Sequence, residues 1–241
     1  MGPADAAIAL FADFDSPGTA AMERPAAGRG PGKIEVGGGA VPRGLSAAGS
    51  VLDFVRNREI YGEGCEADLF FRVLTGVVRT CKLLSDGRRQ VDAFHVAGDV
   101  FGLELGARHG LSAEAVCDST IISYRRREIA THAANSKRLS HQLFSYAMHS
   151  LARAQAHSLL LGRGTAIEKV AAFLTDWSAH SSQGEVVTLV MPRQDIADYL
   201  GLTTETVSRI LSQLERRGLI ERPTARQVRL KNRRTLRDLN S

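Results

Sequence analysis

The chain has 241 residues, 44% of them hydrophobic, and a formal net charge of +5 at pH 7. That length can hold two modest domains with real cores; no run is long and apolar enough to span a membrane, and no basic segment followed by an apolar one opens the chain, so a cytoplasmic protein is the expectation. An isoelectric point near 9.4 favours a polyanionic partner, without separating DNA from RNA or a membrane surface.

Residues 1–44 are rich in Gly, Ala and Pro and include Gly37-Gly38-Gly39. Such a segment has little apolar surface to set against the entropy of ordering, which predicts a flexible tail, with residues 8–14 able to form a short docking helix. The run from Gly28 to Lys33 is superficially like a phosphate loop. It is one residue short, has Ile34 where Ser or Thr is needed, and follows no strand.

From residue 45 to 135 the pattern changes to short apolar runs punctuated by glycine: EIYGEG, LFFRVLTGVVRTCKLL, SDGRRQVDAFHVAGDVFG and AEAVCDSTIISY. Alternation at Val73, Val77 and Cys81, with Asp86-Gly87 as a hairpin turn, predicts an antiparallel β-roll or jelly roll. Cys65, Cys81 and Cys117 are odd in number and widely spaced, with no C-x-x-C pair. They suggest neither a disulfide framework nor a closed zinc site and read as small, half-buried residues.

After Arg125-Arg126-Arg127 a long helix is predicted over 136–162. Leu139, Leu143, Ala147 and Leu151 recur at i+4, with Phe144 and Met148 beside them. A stripe of small and apolar residues suits close helix pairing, although the same stripe could pack on the chain's own roll. Gly162 and Gly164 then break the pattern and open a C-terminal domain, 163–241, whose first helix is expected over 165–178.

The stretch RQDIADYLGLTTETVSRILSQLERR, from Arg193 to Arg217, carries two helical patterns separated by a glycine. Ile196, Ala197 and Leu200 share one face of the first, and Gly201 stands where the chain must turn sharply. Thr203 can cap the second helix, and Glu205 in its first turn suits the positive end of the helix dipole. Val207, Ile210, Leu211 and Leu214 form the packing face of that helix. Glu205, Ser208, Arg209, Ser212 and Arg216 share the other, at i, i+3, i+4 spacing. This is a helix-turn-helix, in which the outward face of the second helix enters the DNA major groove. Arg209 can donate two hydrogen bonds to a guanine, Glu205 can accept from a cytosine amino group, and Ser208 can serve a base edge or a phosphate. The alternative is a solvated helix with a Glu205–Arg209 ion pair.

A wing follows Gly218: strands are predicted over 219–221 and 227–231, with a turn around Pro223 and Ala225. From Gly201 onward ten basic residues minus four acidic ones leave +6, more than the +5 of the whole chain. Phosphate contacts need such a concentration of positive charge beside the recognition helix, and Thr203, Thr204, Ser212, Arg216, Arg226 and Arg233 are the residues expected to make them.

Glu205-Thr206-Val207-Ser208-Arg209, following IADYLGLT, resembles the recognition helix of the CRP/FNR superfamily of bacterial transcription regulators; its Glu, Ser and Arg match the base-reading positions of the FNR and FixK branches. The resemblance spans residues 45 to 235. It implies an α+β protein: an N-terminal antiparallel β-roll similar to the cyclic-nucleotide-binding fold, a long dimerisation helix and a C-terminal winged helix-turn-helix. It also implies a homodimer seam through Leu139, Leu143, Phe144, Ala147 and Leu151.

Family members that bind cyclic nucleotide use a glycine-glutamate pair and a later Arg-Ser pair. Here Gly102-Leu103-Glu104 stands for the first, whereas Leu111-Ser112-Ala113-Glu114 replaces the second with no arginine and an acid, a poor phosphate site. Oxygen-sensing members carry a cysteine cluster before the roll; no cysteine precedes Cys65, and a cluster needs about four thiolates. Haem would need a ligand such as His95 or His109, each more readily read as an ordinary histidine. No cofactor, metal included, is therefore expected.

The resemblance to the FixK branch implies a homodimeric activator of low-oxygen-response genes, including those of nitrogen fixation, that binds palindromic double-stranded DNA with TTGAT-type half-sites. RNA polymerase would be its partner, and it would carry no sensor cofactor. The alternative is an effector-gated regulator whose roll binds an unidentified small molecule or cyclic nucleotide. No Ser/His/Asp set, paired-carboxylate motif or metal motif is recognisable, so no enzyme is expected.

Overall fold

Two four-stranded antiparallel sheets face each other in the N-terminal half of the computed structural model, which describes residues 49–180 and 186–239. The expected tail, and the short helix within it, lie outside the described residues. The strands are β1 (Gly49–Phe54), β2 (Glu59–Tyr61), β3 (Leu69–Thr75), β4 (Val77–Leu83), β5 (Arg89–Val96), β6 (Val100–Phe101), β7 (Ser112–Ala115) and β8 (Ser119–Arg125). They pair in the orders β1-β8-β3-β6 and β2-β7-β4-β5, the β-roll that the alternating pattern predicts.

The apolar run LFFRVLTGVVRTCKLL is two strands, not one. Gly76 turns the chain between them with φ +86°, and a Cβ there would lie 2.3 Å from Ser119 Oγ and 2.5 Å from the Asp118 carbonyl oxygen, so no other residue fits. Val73 consequently packs inside the roll while Val77 joins the core of the C-terminal half. A period-2 reading that joins Val73 to Val77 misses this reversal, because alternation carries no information about where a strand ends.

Phe70, Ile122 and Tyr124 cover the outer face of the first sheet and pack under two helices, α1 (Arg126–Ala134) and the start of α2 (Lys137–Arg163). The Ser136 hydroxyl accepts the Leu139 backbone N–H at 3.3 Å and caps α2. At 27 residues that helix is about 40 Å long. Leu139, expected in the dimer seam, is only 5% exposed because it is packed against the roll and α1, with Leu143 half-buried beside it. Helical spacing defines a stripe but not what covers it. Here α1, which the sequence pattern did not reveal, packs against α2. Phe144, Met148, Leu151 and Leu159 remain exposed further along α2.

A capping box starts α3 (Ala166–Ala179): the Glu168 N–H donates to Thr165 Oγ1, and the Thr165 N–H donates to Glu168 Oε2 at 2.8 Å. Beyond it come β9 (Val186–Thr188), α4 (Arg193–Leu200), α5 (Thr204–Arg216), β10 (Ile220–Thr224), β11 (Gln227–Leu230) and α6 (Arg233–Asp238). The sheet order is β10-β11-β9, so β9 adds a third strand to the two expected in the wing. Pro223 lies on the edge strand, where its missing N–H costs no ladder bond. Phe173, Trp177, Leu200, Leu211 and Leu214 form one apolar core, which also takes in Val77, Val96 and Val116 of the roll.

Candidate nucleic-acid interface

Helices α4 and α5 meet through Gly201, whose φ of +62° and ψ of +41° are left-handed, as the turn requires. Ala197 is fully buried, allowing the helices to approach, and its carbonyl accepts the Leu202 N–H at 3.0 Å. Thr203 caps α5 by accepting the Thr206 N–H at 3.2 Å. Val207, Ile210, Leu211 and Leu214 are buried, whereas Glu205, Ser208, Arg209 and Arg216 are exposed. Among the described residues no ion pair joins Glu205 to Arg209; the pairs of this region join Arg222 of the wing to Glu215 near the end of α5, and Arg229 and Lys231 to Glu221 within the wing. The three side chains expected to read bases thus share one open face.

The residues expected on the phosphates fare differently. Arg216, Arg226 and Arg233 are exposed, on α5, at the wing turn and at the start of α6 respectively. Ser212 is half-buried, its hydroxyl donating to the Ser208 carbonyl at 3.1 Å and accepting from Arg222 at 3.2 Å. The Thr203 and Thr204 hydroxyls are also engaged: the first donates to Thr206 Oγ1 at 3.0 Å, and the second to the Gln194 side-chain oxygen at 2.8 Å. Of the ten basic residues, Arg222 pairs with Glu215, and Arg229 and Lys231 pair with Glu221. Hydrogen bonds from Arg222 hold the Glu215 carboxyl below its usual range, and Lys231, foremost, does the same for Glu221.

Three side chains that sequence periodicity did not single out shape this surface. Arg193 donates to the Ala225 carbonyl at 2.8 Å and ties α4 to the wing turn. Arg222 ties the wing to α5, and Gln194 bridges Thr204 to Asp198, accepting from the first and donating to the second at 2.6 Å. Arg222 had a local signal, a charge seven residues after Glu215 across a predicted reversal, and Gln194 had another, its i, i+4 spacing to Asp198 on one helix.

The roll interior beside Gly102 is filled with rings. Tyr61 stacks on His109 with centroids 3.7 Å apart and on Phe71 at 5.4 Å, and Phe101 stacks on Phe71 at 5.3 Å and on His95 at 5.1 Å. Burial pushes His95 down to about 4, while its Nε2 shares a hydrogen bond with Thr80 at 3.1 Å; burial also lowers His109, against the pull of Glu104. Arg126 donates to the carbonyls of Ala67, Glu104 and Gly106. Glu114, the acid that with the missing arginine makes this stretch read as a poor phosphate site, points to the outer side of β7, where it accepts from Arg79. Alternation sends Ala113 inward and Glu114 outward. Cys65 is exposed, unlike the half-buried residue expected, because it lies in the turn after β2; Cys81 is buried and Cys117 intermediate.

A cyclic nucleotide-binding domain profile matches residues 51–135 and a Crp-like helix-turn-helix domain profile matches residues 168–239. The nitrogen fixation regulation protein FixK of Azorhizobium caulinodans is 46% identical over 202 residues, covering 82% of each chain. FixK of Rhizobium meliloti is 42% identical over 198 residues, covering 82% of this chain and 90% of its own. The solved structure of FixK2 from Bradyrhizobium japonicum superposes with a TM-score of 0.77 at 43% identity, covering 80% of this chain and 98% of that one. With both domain profiles in the order roll then reader, and FixK proteins at this identity along most of its length, the chain belongs to the CRP/FNR family of DNA-binding transcription regulators, as one of the FixK type.

Proposed function

We propose that this protein is a homodimeric activator that reads a palindromic operator with TTGAT-type half-sites and turns on genes used at low oxygen, nitrogen fixation among them. The observation that carries this reading is the open face of α5, on which Glu205, Ser208 and Arg209 stand exposed together. The names of the two FixK relatives, nitrogen fixation regulation proteins, support the choice of target genes. Glu205, Ser208 and Arg209 read bases; Arg216, Arg226 and Arg233 meet phosphates, with Thr203, Thr204 and Ser212 available once their internal hydrogen bonds exchange. Residues 136–162 form the dimer helix, and two-fold symmetry puts the half-sites about one helical turn apart. RNA polymerase is the partner recruited, and the protein acts in the cytoplasm.

The roll works in this reading without a cofactor. The support is the stack of Tyr61, His109, Phe71 and Phe101 packed beside Gly102 in the roll interior, and the commitment of Arg126 to three carbonyl groups. The effector-gated alternative draws on a different observation, a cleft of about 820 Å³ lined by Phe94, Arg153, His157, Phe173, Trp177 and Tyr199. Operator affinity decides between them, measured for protein purified in air and without oxygen, with chelator and with added cyclic AMP. Unchanged binding supports the cofactor-free activator; a change above about tenfold, ~1.4 kcal/mol, in any comparison overturns it in favour of gating.

A further inference from the structure

Asp195 is buried for a reason that the reading half alone does not supply. It lies in the first turn of α4 and is only 1% exposed. Its carboxylate is shared by two arginines of the roll: Arg79 of β4 donates to one oxygen and Arg89 of β5 to the other. Arg79 Nε also donates to Glu114 of β7 at 2.9 Å, and Arg89 Nε donates to Asp198, three residues after Asp195, at 2.9 Å. From Asp198 the connection continues outward. Its other oxygen accepts from Gln194 at 2.6 Å, and the Gln194 oxygen accepts from the hydroxyl of Thr204, the first residue of the recognition helix, at 2.8 Å. An unbroken run of hydrogen bonds therefore joins a sheet of the roll to the N-terminus of α5.

Such a junction is poorly suited to stability and well suited to direction. Withdrawing these charges from water costs about as much as their attraction returns, whereas a planar guanidinium bonded to a carboxylate tolerates few orientations. The apolar contacts of Val77, Val96 and Val116 across the same junction attract without specifying an angle.

We infer that Arg89 and Asp198 are positioning residues that set the angle at which the roll presents the recognition helix, and thereby the half-site spacing that the protein accepts. This rests on the reading of the chain as a dimer on a palindrome. One base pair added between half-sites moves the second by about 3.4 Å along the axis and turns it by about a tenth of a helical turn. Readers held at a fixed angle reject that change, and readers released from the roll follow it.

The test compares wild type, Arg89→Met and Asp198→Ala on a palindrome of preferred spacing, on palindromes with one base pair added or removed, and on a single half-site. Wild type should prefer the native spacing by about tenfold or more, while both variants should keep single-half-site affinity within about twofold and lose most of that preference. Variants that retain the wild-type preference, or that lose affinity equally on every duplex, would overturn the inference. Absence of any preference in wild type would instead remove the dimer reading, and the inference with it. Should Arg89→Met fail to fold, Asp198→Ala decides alone, since it leaves Asp195 with both arginines.

Discussion

Arg222 of the wing grips Glu215 of the recognition helix: Nε and Nη2 donate to one carboxylate oxygen at 2.8 and 2.6 Å, and the Arg222 backbone N–H donates to the other at 3.0 Å. The wing is thereby held against α5. Removing Glu215 has two opposed effects. It deletes a negative charge near DNA, which by charge alone strengthens binding, and it frees the wing, which weakens it. Glu215→Ala should give a net loss of about threefold or more on matched and scrambled duplexes alike; tighter binding in a titration would show that the tie is unimportant. Because Arg222 holds the Glu215 carboxyl below its usual range, the tie is complete at neutral pH and is lost as pH falls through that lowered value.

Arg209→Ala should lose about 1 to 3 kcal/mol on the specific site and relax preference at one guanine, the range for a single bidentate base contact. Arg233→Ala should weaken all sequences about equally. Equal losses for Arg209→Ala on matched and scrambled duplexes would take it out of base reading.

The dimer is best tested away from the roll. Phe144 is 64% and Leu151 49% exposed, so replacing both by Glu leaves the subunit's own core intact while setting like charges face to face in an apolar seam. Sedimentation should show a folded monomer with greatly reduced operator affinity, and an unchanged dimer would move the seam elsewhere. Leu139→Ala, in contrast, should cost about 2 to 5 kcal/mol of stability through a cavity under α2, read as an earlier thermal transition with the subunits still associated.

His95 supplies a pH signature. Its folded value is lowered to about 4 by burial, against about 6.5 for an exposed histidine, so below about pH 6.5 the unfolded chain binds a proton that the folded chain refuses. The stabilising contribution is whole above about pH 6.5 and is lost as pH falls toward 4, to the extent of roughly 3 kcal/mol. Thermal unfolding between pH 7 and pH 4 should show a shallower decline for His95→Gln than for wild type. Parallel curves would mean that His95 accepts its proton without opening the roll.

What the sequence determined by itself was the helix-turn-helix, the wing and the β-roll. Each is written in local spacing: Val207, Ile210, Leu211 and Leu214 at helical intervals, Gly201 at the only point where the chain turns left-handed between α4 and α5, and short apolar runs ended by glycine. What only the tertiary structure decided was where ambiguous faces point. Leu139 turned onto the roll because α1 folds beside it, Glu114 turned outward because alternation alone does not say which face is the interior, and β9 joined the wing from some forty residues upstream. The bonds from Arg79 and Arg89 to Asp195 span 116 and 106 residues. No periodicity carries a pairing across such a separation, because it exists only once two independently patterned halves share a core.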